Sequence, residues 1–149
     1  MVALGARSER DDRSFTDFTC IHYADLFRTA ALLTGDAVTA EELVQDTLAE
    51  LYPVWWRVDA SERPVSYVRR RLTRTYLANH RRIPADMLAD LNHRQRAAIV
   101  MRYAYDLDDA ELAACLGCRP TRARGLVSRG LATIRKPRDL EPGLARGGR

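Results

Sequence analysis

The stretch Asp108-Asp-Ala-Glu-Leu-Ala-Ala-Cys-Leu-Gly-Cys-Arg-Pro-Thr-Arg-Ala-Arg-Gly-Leu-Val-Ser-Arg-Gly-Leu-Ala-Thr-Ile-Arg-Lys136 decides how the chain is read. Asp108 suits a helix N-cap, because its carboxylate can accept a first-turn amide that has no intrahelical partner. The short helix it opens should stop at Leu116-Gly117, where glycine tolerates the left-handed conformation of a C-terminal cap. A turn through Cys118-Arg119-Pro120 leads to a second helix over residues 121–136, stopped by Pro137. Ala123, Val127, Leu131 and Ile134 recur as its inward stripe, leaving Arg122, Arg124, Ser128 and Arg129 to point outward. A short helix, a turn with Gly and Pro, and a basic second helix describe a helix-turn-helix, whose second helix suits the major groove of DNA. Arginine supplies a planar fork that pairs bidentately with guanine or phosphate. Gly125 and Gly130 each cost about 1 kcal/mol relative to alanine in a helix interior, a cost that close approach to DNA or to a neighbouring helix would offset.

Working outward, the rest of the chain also reads as helical. Tyr23, Leu26, Phe27, Ala30 and Leu33 give a first helix from about Phe15 to Gly35. Thr39 with Glu42 has the spacing of a capping box, and Ala40, Leu43, Val44, Thr47, Leu48, Leu51 and Trp55 follow on one face until Pro53 kinks or ends the helix. Pro64 fits the first position of a third helix, with Val65, Val68, Leu72 and Thr75 inward and the run to Arg82 basic outward. Asn92 with Gln95 predicts a capped fourth helix carrying Ala97, Val100, Met101 and Ala104. No strand-like alternation of useful length is present.

Charge is distributed in blocks. The net charge of the 149 residues is only +4, but residues 15–56 hold one basic against seven acidic side chains, and residues 57–82 hold eight basic against two acidic. Residues 83–118 are acidic again, and residues 119–138 carry seven basic side chains and no acidic one. Two basic blocks in matched positions suggest two modules that each face a polyanion. On the third helix, Arg70, Arg71, Arg74, Arg81 and Arg82 are interleaved with Tyr67, Tyr76 and His80, and cations beside stacking rings suit single-stranded or melted nucleic acid.

Composition excludes several classes. With 30% charged residues and a mean hydropathy of -0.34 there is no run near the roughly 20 apolar residues of a membrane-spanning helix. The N-terminal residues lack the apolar core of a secretory signal, and three cysteines are too few for a disulfide framework, so a cytoplasmic protein is expected. Cys115-Leu-Gly-Cys118 has metal-like spacing, yet His22, His80 and His93 do not complete a ligand set, and packing at the turn explains it better. Glu41, Glu42 and Asp46 lack a neighbouring nucleophile or imidazole, so a docking face is favoured over catalysis, and neither metal nor cofactor is expected.

In their order along the chain these residues resemble the extracytoplasmic-function group of sigma-70-type RNA polymerase sigma factors, and within it the SigE-like actinobacterial branch. Leu32-Leu33-Thr34-Gly35-Asp36 is similar to the family's "LLTGD" string, and Glu41-Glu42-Leu43-Val44-Gln45 to its "EDLVQ" motif. The residues of 66–72 resemble the helix that opens and reads the minus-ten element, and those of 92–97, 107–118 and 128–132 resemble region 4. Departures are Asn92 in place of proline, the basic run 119–124, and a very short connection between the two regions.

The resemblance implies an all-α protein of two small helical bundles. A region 2-like unit would cover residues 15–82 and a region 4-like helix-turn-helix residues 87–138, with a linker at 83–86 and flexible tails at 1–14 and 139–149. It further implies core polymerase binding by Glu41, Glu42, Gln45 and Asp46. Minus-ten contacts would fall on Tyr67, Arg70, Arg71, Arg74, Tyr76, Asn79, His80 and Arg81, and minus-thirty-five contacts on Arg119, Thr121, Arg122, Arg124, Ser128 and Arg129. Core RNA polymerase and promoter DNA would be the partners, with an anti-sigma factor as a further one, and no membrane or cofactor. Two other readings stay open: a helix-turn-helix regulator acting without polymerase, and a sigma-like interaction module that has lost initiation.

Overall fold

A computed structural model describes residues 2–79, 86 and 88–136, with the first six of these described as backbone only. Those residues form seven α-helices and no strand: α1 (Val2–Thr34), α2 (Ala37–Leu51), α3 (Trp55–Asp59), α4 (Pro64–Asn79), α5 (His93–Tyr105), α6 (Asp109–Leu116) and α7 (Pro120–Arg135). His80, Arg81 and most of the expected linker lie outside the described residues, as does the C-terminal segment from 137.

Local chemistry sets most helix ends. Asn92 accepts from the Gln95 amide at 2.8 Å while the Gln95 side chain accepts from the Asn92 amide, completing a capping box. Asp108 and Glu111 do the same for α6, which ends on Gly117 at φ +68°. The start of α2 differs from expectation. Gly35 takes φ +72°, and Asp36 is the N-cap, accepting from both the amide and the hydroxyl of Thr39. Thr39 is therefore a donor to the cap, and the Thr39/Glu42 box does not form. Pro53 interrupts the chain as foreseen: α2 stops at Leu51, a single 3-10 turn covers Tyr52–Val54, and Trp55 belongs to α3.

The residues expected to be a tail before Phe15 continue α1 instead. They have something to hold: the Tyr52 hydroxyl donates to Asp12 at 2.6 Å, the Trp55 indole donates to Ser14 at 3.1 Å, and Phe15 and Phe18 pack on Trp55 at 5.3 and 5.0 Å between ring centroids. Trp55 is 1% exposed, so these contacts anchor an aromatic cluster that begins one turn before the apolar period becomes visible.

Helix α1 packs along α2, and α3 and α4 complete the first group, while α5, α6 and α7 form the second. The buried side chains make one continuous cluster running from Leu26 and Leu33 through Val44, Leu72 and Tyr76 to Met101, Leu112 and Val127. The two groups meet along α4–α6, α1–α5 and α4–α5. Arg96, 2% exposed, is the polar centre of that junction, donating to both oxygens of Asp86 at 2.9 and 2.5 Å and from Nε to the Leu32 carbonyl at 3.0 Å. Leu32 lies in the last turn of α1, where carbonyls lack intrahelical partners and a cation is favoured.

Candidate nucleic-acid interface

Helix α7 presents the basic surface expected of it. Arg119, Thr121, Arg122, Arg124, Ser128 and Arg129 are all exposed, and Ala123, Leu126, Val127 and Gly130 face the core. Ile134, assigned inward by the sequence, is 43% exposed, and Leu126 is buried in its place. At Gly130 a Cβ would stand 3.0 Å from Ile99 Cγ1, so the glycine permits helix–helix approach, whereas at Gly125 it would meet only the Arg129 side chain. Arg124 Nε donates to Asp109 at 2.9 Å, and Arg102 donates to the other oxygen of the same carboxylate. Those hydrogen bonds, Arg102 first, hold the Asp109 carboxyl below the usual range. Asp109 thereby ties the base of α7 to α5 across the turn.

Helix α4 carries the second basic surface. Consecutive helical residues diverge by about 100°, so the triplet Arg69-Arg70-Arg71 cannot share one face. Arg71 turns to α2 and donates to Glu50 at 2.7 Å, while Arg69 turns to α5 and lies 3.4 Å from the centroid of the Tyr105 ring. Arg70 stays exposed, bordering a cleft of about 230 Å³ lined with Tyr67, Arg71 and Arg74 and a neighbouring one of about 190 Å³ that adds Ser61, Glu62, Arg63 and Ser66. Half-buried Tyr67 is the ring shared by both clefts. Arg63 and Ser66 were not among the residues expected here. Their signal was the proximity of both to the Pro64 helix start.

Tyr76 corrects an expectation. It is 1% exposed, its hydroxyl lies 2.9 Å from His93 Nδ1, and burial pushes that hydroxyl up to about 12, so it is a core residue and offers no face for stacking. Its place among the arginines of the helix suggests a stacking ring, but the stripe Val68–Leu72–Thr75–Tyr76 is the buried one. Asn79 is exposed at the last residue of α4, and His80 and Arg81 fall outside the described residues. Arg74, although exposed, is engaged: it donates to the Ala114 carbonyl at 3.1 Å.

The acidic surface lies on α2. Glu41, Glu42, Gln45 and Asp46 are exposed on α2 while Leu43, Val44, Thr47 and Leu48 are buried, and Gln45 donates to Glu41 at 3.3 Å. Cys115 is buried against α4, where burial pushes its thiol up despite the opposing pull of Arg70, Arg69 and Arg74; Cys118 is half-buried and Cys20 exposed. No group of three or more His, Cys, Asp or Glu among the described residues is placed to hold a metal ion.

Comparison with known proteins yields one informative likeness. The chain is 26% identical over 157 aligned positions to the RNA polymerase sigma-E factor of Streptomyces coelicolor, a match that covers 85% of this chain and 89% of the relative. It supports a place among the sigma factors. No family model matches the chain. Among the described residues no helix is long and apolar enough to cross a membrane.

Proposed function

We propose that this chain is a non-enzymatic transcription initiation factor of the extracytoplasmic-function sigma type, in its SigE-like actinobacterial branch, acting in the cytoplasm with core RNA polymerase on promoter DNA. The observation that carries the reading is the likeness to a sigma-E factor over 85% of the chain, an extent that neither the α1–α4 group nor the helix-turn-helix supplies alone. In this reading residues 15–82 and 87–138 act as the region 2-like and region 4-like units. The acidic face of α2 docks on polymerase through Glu41, Glu42, Gln45 and Asp46. Arg70, Arg71 and Arg74 of α4, with Tyr67, follow the melted strand of the minus-ten element, combining phosphate neutralisation with a stacking ring. Exposed Arg119 at the N-cap of α7, with Thr121, Arg122, Arg124, Ser128 and Arg129 along the helix, reads the upstream duplex. The same reading admits an anti-sigma protein as a further partner.

The deciding experiment is run-off transcription with core polymerase on a fragmented genomic library. Discrete start sites that depend on this chain support the proposal, and their absence while the protein still co-purifies with core favours an interaction module. That second reading draws on the contact between α4 and α6, which leaves the two groups docked on one another.

A further inference from the structure

Arg74 faces two ways at once. It belongs to the arginine row of α4, bordering the cleft with Tyr67, Arg70 and Arg71, and its guanidinium also donates to the Ala114 carbonyl in the last turn of α6. The same guanidinium lies 3.7 Å from where a Cβ of Gly117 would be, close over the turn of the helix-turn-helix. The last carbonyls of a helix lack partners and carry the negative end of its dipole, so a guanidinium there is a favourable cap. Arg94 adds a longer contact of 3.5 Å to the Leu116 carbonyl. Around this cap the two groups touch again: Arg63 reaches Glu111 at 3.5 Å, Arg69 stacks on Tyr105, and the Tyr105 hydroxyl donates to Asp25 at 3.1 Å and meets the Thr29 hydroxyl.

We propose that the chain carries an internal latch, in which the helix-turn-helix and nucleic acid compete for the same face of α4. A phosphate backbone running along Arg70 and Arg74 requires the Arg74 guanidinium that α6 now holds, and α6 stands where the strand would continue. The closed form is the resting state of the free protein, and whatever draws the two groups apart exposes the arginine row. The inference rests on the reading of α4 as a nucleic-acid helix, and deepens it by assigning how that helix is kept from DNA.

Cys115 supplies a native reporter. It is 4% exposed and lines a small cavity of about 40 Å³ together with Arg63 just before α4 and Ser66, Arg69 and Arg70 within it, so separation of α4 from α6 uncovers its thiol. Two perturbations open the latch without altering any residue assigned to DNA. Tyr105→Ala removes the stacking partner of Arg69 and both hydroxyl contacts to α1. A Gly/Ser insertion of about 20 residues after Pro84 dilutes one group from the other: the effective concentration of tethered partners falls roughly as the −3/2 power of linker length, so growth from about 4 to about 24 residues lowers it on the order of tenfold.

The test measures full-length wild type, the insertion and Tyr105→Ala. Binding of a mixed-sequence single-stranded DNA oligonucleotide is followed by fluorescence anisotropy, and maleimide labelling of Cys115 by peptide mass spectrometry. Apparent affinity scales with the open fraction, so the insertion should bind up to about tenfold tighter and label Cys115 correspondingly faster. By reciprocity, saturating oligonucleotide should speed Cys115 labelling in the wild type. Equal affinities and equal labelling in wild type and insertion overturn the latch. Faster labelling in the insertion with no DNA binding by any form leaves the contact in place but overturns the assignment of α4 to nucleic acid. Should Tyr105→Ala lose its helical circular dichroism, the insertion alone decides.

Discussion

Replacing Arg96 by methionine tests how the two helical groups are joined. Methionine keeps most of the apolar stem but removes a guanidinium that is 2% exposed and serves Asp86 and the Leu32 carbonyl together. Breaking a buried pair by deleting one partner costs about 3–5 kcal/mol when the other charge is left dry. Here the Asp86 side chain remains 36% exposed and can rehydrate, so the cost falls below that range, to about 1–2 kcal/mol. The Leu32 carbonyl, losing a charged donor, adds about 1 kcal/mol. We expect a net loss of about 2–3 kcal/mol. With a urea slope of about 2 kcal/mol/M, ordinary for a chain of this size, the midpoint should fall by about 1–1.5 M in far-ultraviolet circular dichroism. Because the buried cluster is continuous, the transition should stay single and its slope unchanged. A midpoint within about 0.3 M of wild type, or two separate transitions, would refute the view of Arg96 as the keystone of one cooperative unit.

The remaining predictions address other links. Asp86 is held below its ordinary value chiefly by its hydrogen bonds from Arg96, so its stabilising contribution is complete above about pH 4 and is lost as the pH falls through the lower folded value; urea titrations of wild type and Arg96→Met should therefore converge in acid. Gly130→Ala should destabilise by about 1 kcal/mol, the overpacking against Ile99 outweighing the gain in helix propensity, and the sign should reverse in an Ile99→Ala background. Reversing charge at Glu42 and Asp46, both exposed, should abolish co-purification with core polymerase while leaving the helical spectrum intact; undiminished binding removes α2 from the docking assignment. Arg124→Ala should cost about 1–3 kcal/mol in duplex affinity and relax preference at one base pair if Arg124 reads a base; an even loss across sequences, measured by competition, assigns it to phosphate.

What was legible in the sequence was what local chemistry controls. The box at Asn92/Gln95, the cap at Asp108, the left-handed Gly117 and the break at Pro53 are each decided within four residues, and each stands where the pattern put it. Thr39/Glu42 failed because Asp36, one residue after a left-handed glycine, starts the helix three residues earlier and already accepts from the Thr39 amide that Glu42 would have taken. The early start of α1 was hidden for another reason. Asp12 and Ser14 are polar, and their partners on Tyr52 and Trp55 are 40 and 41 residues away, where no periodicity can register them. Tyr76 shows the same limit at the candidate site: residue type suggested a ring facing nucleic acid, and tertiary packing turned it toward His93 of α5.

The bond between Tyr105 and Thr29 spans 76 residues of chain, and that between Arg96 and Leu32 spans 64. During synthesis at about 5–20 residues per second, α1 emerges roughly 4–15 seconds before the helix that will cover its Asp25–Thr29–Leu32 flank. From the end of α4 at Asn79 to the end of α7 at Arg135, a stretch of 56 residues or roughly 3–11 seconds, the nascent α1–α4 portion presents the arginine row of α4 beside the acidic face of α2, with no helix-turn-helix yet made to sit on that row. A partner that can reach the ribosome would meet the protein in its uncovered form first, so the order of translation itself provides a window for capture that the finished molecule no longer offers.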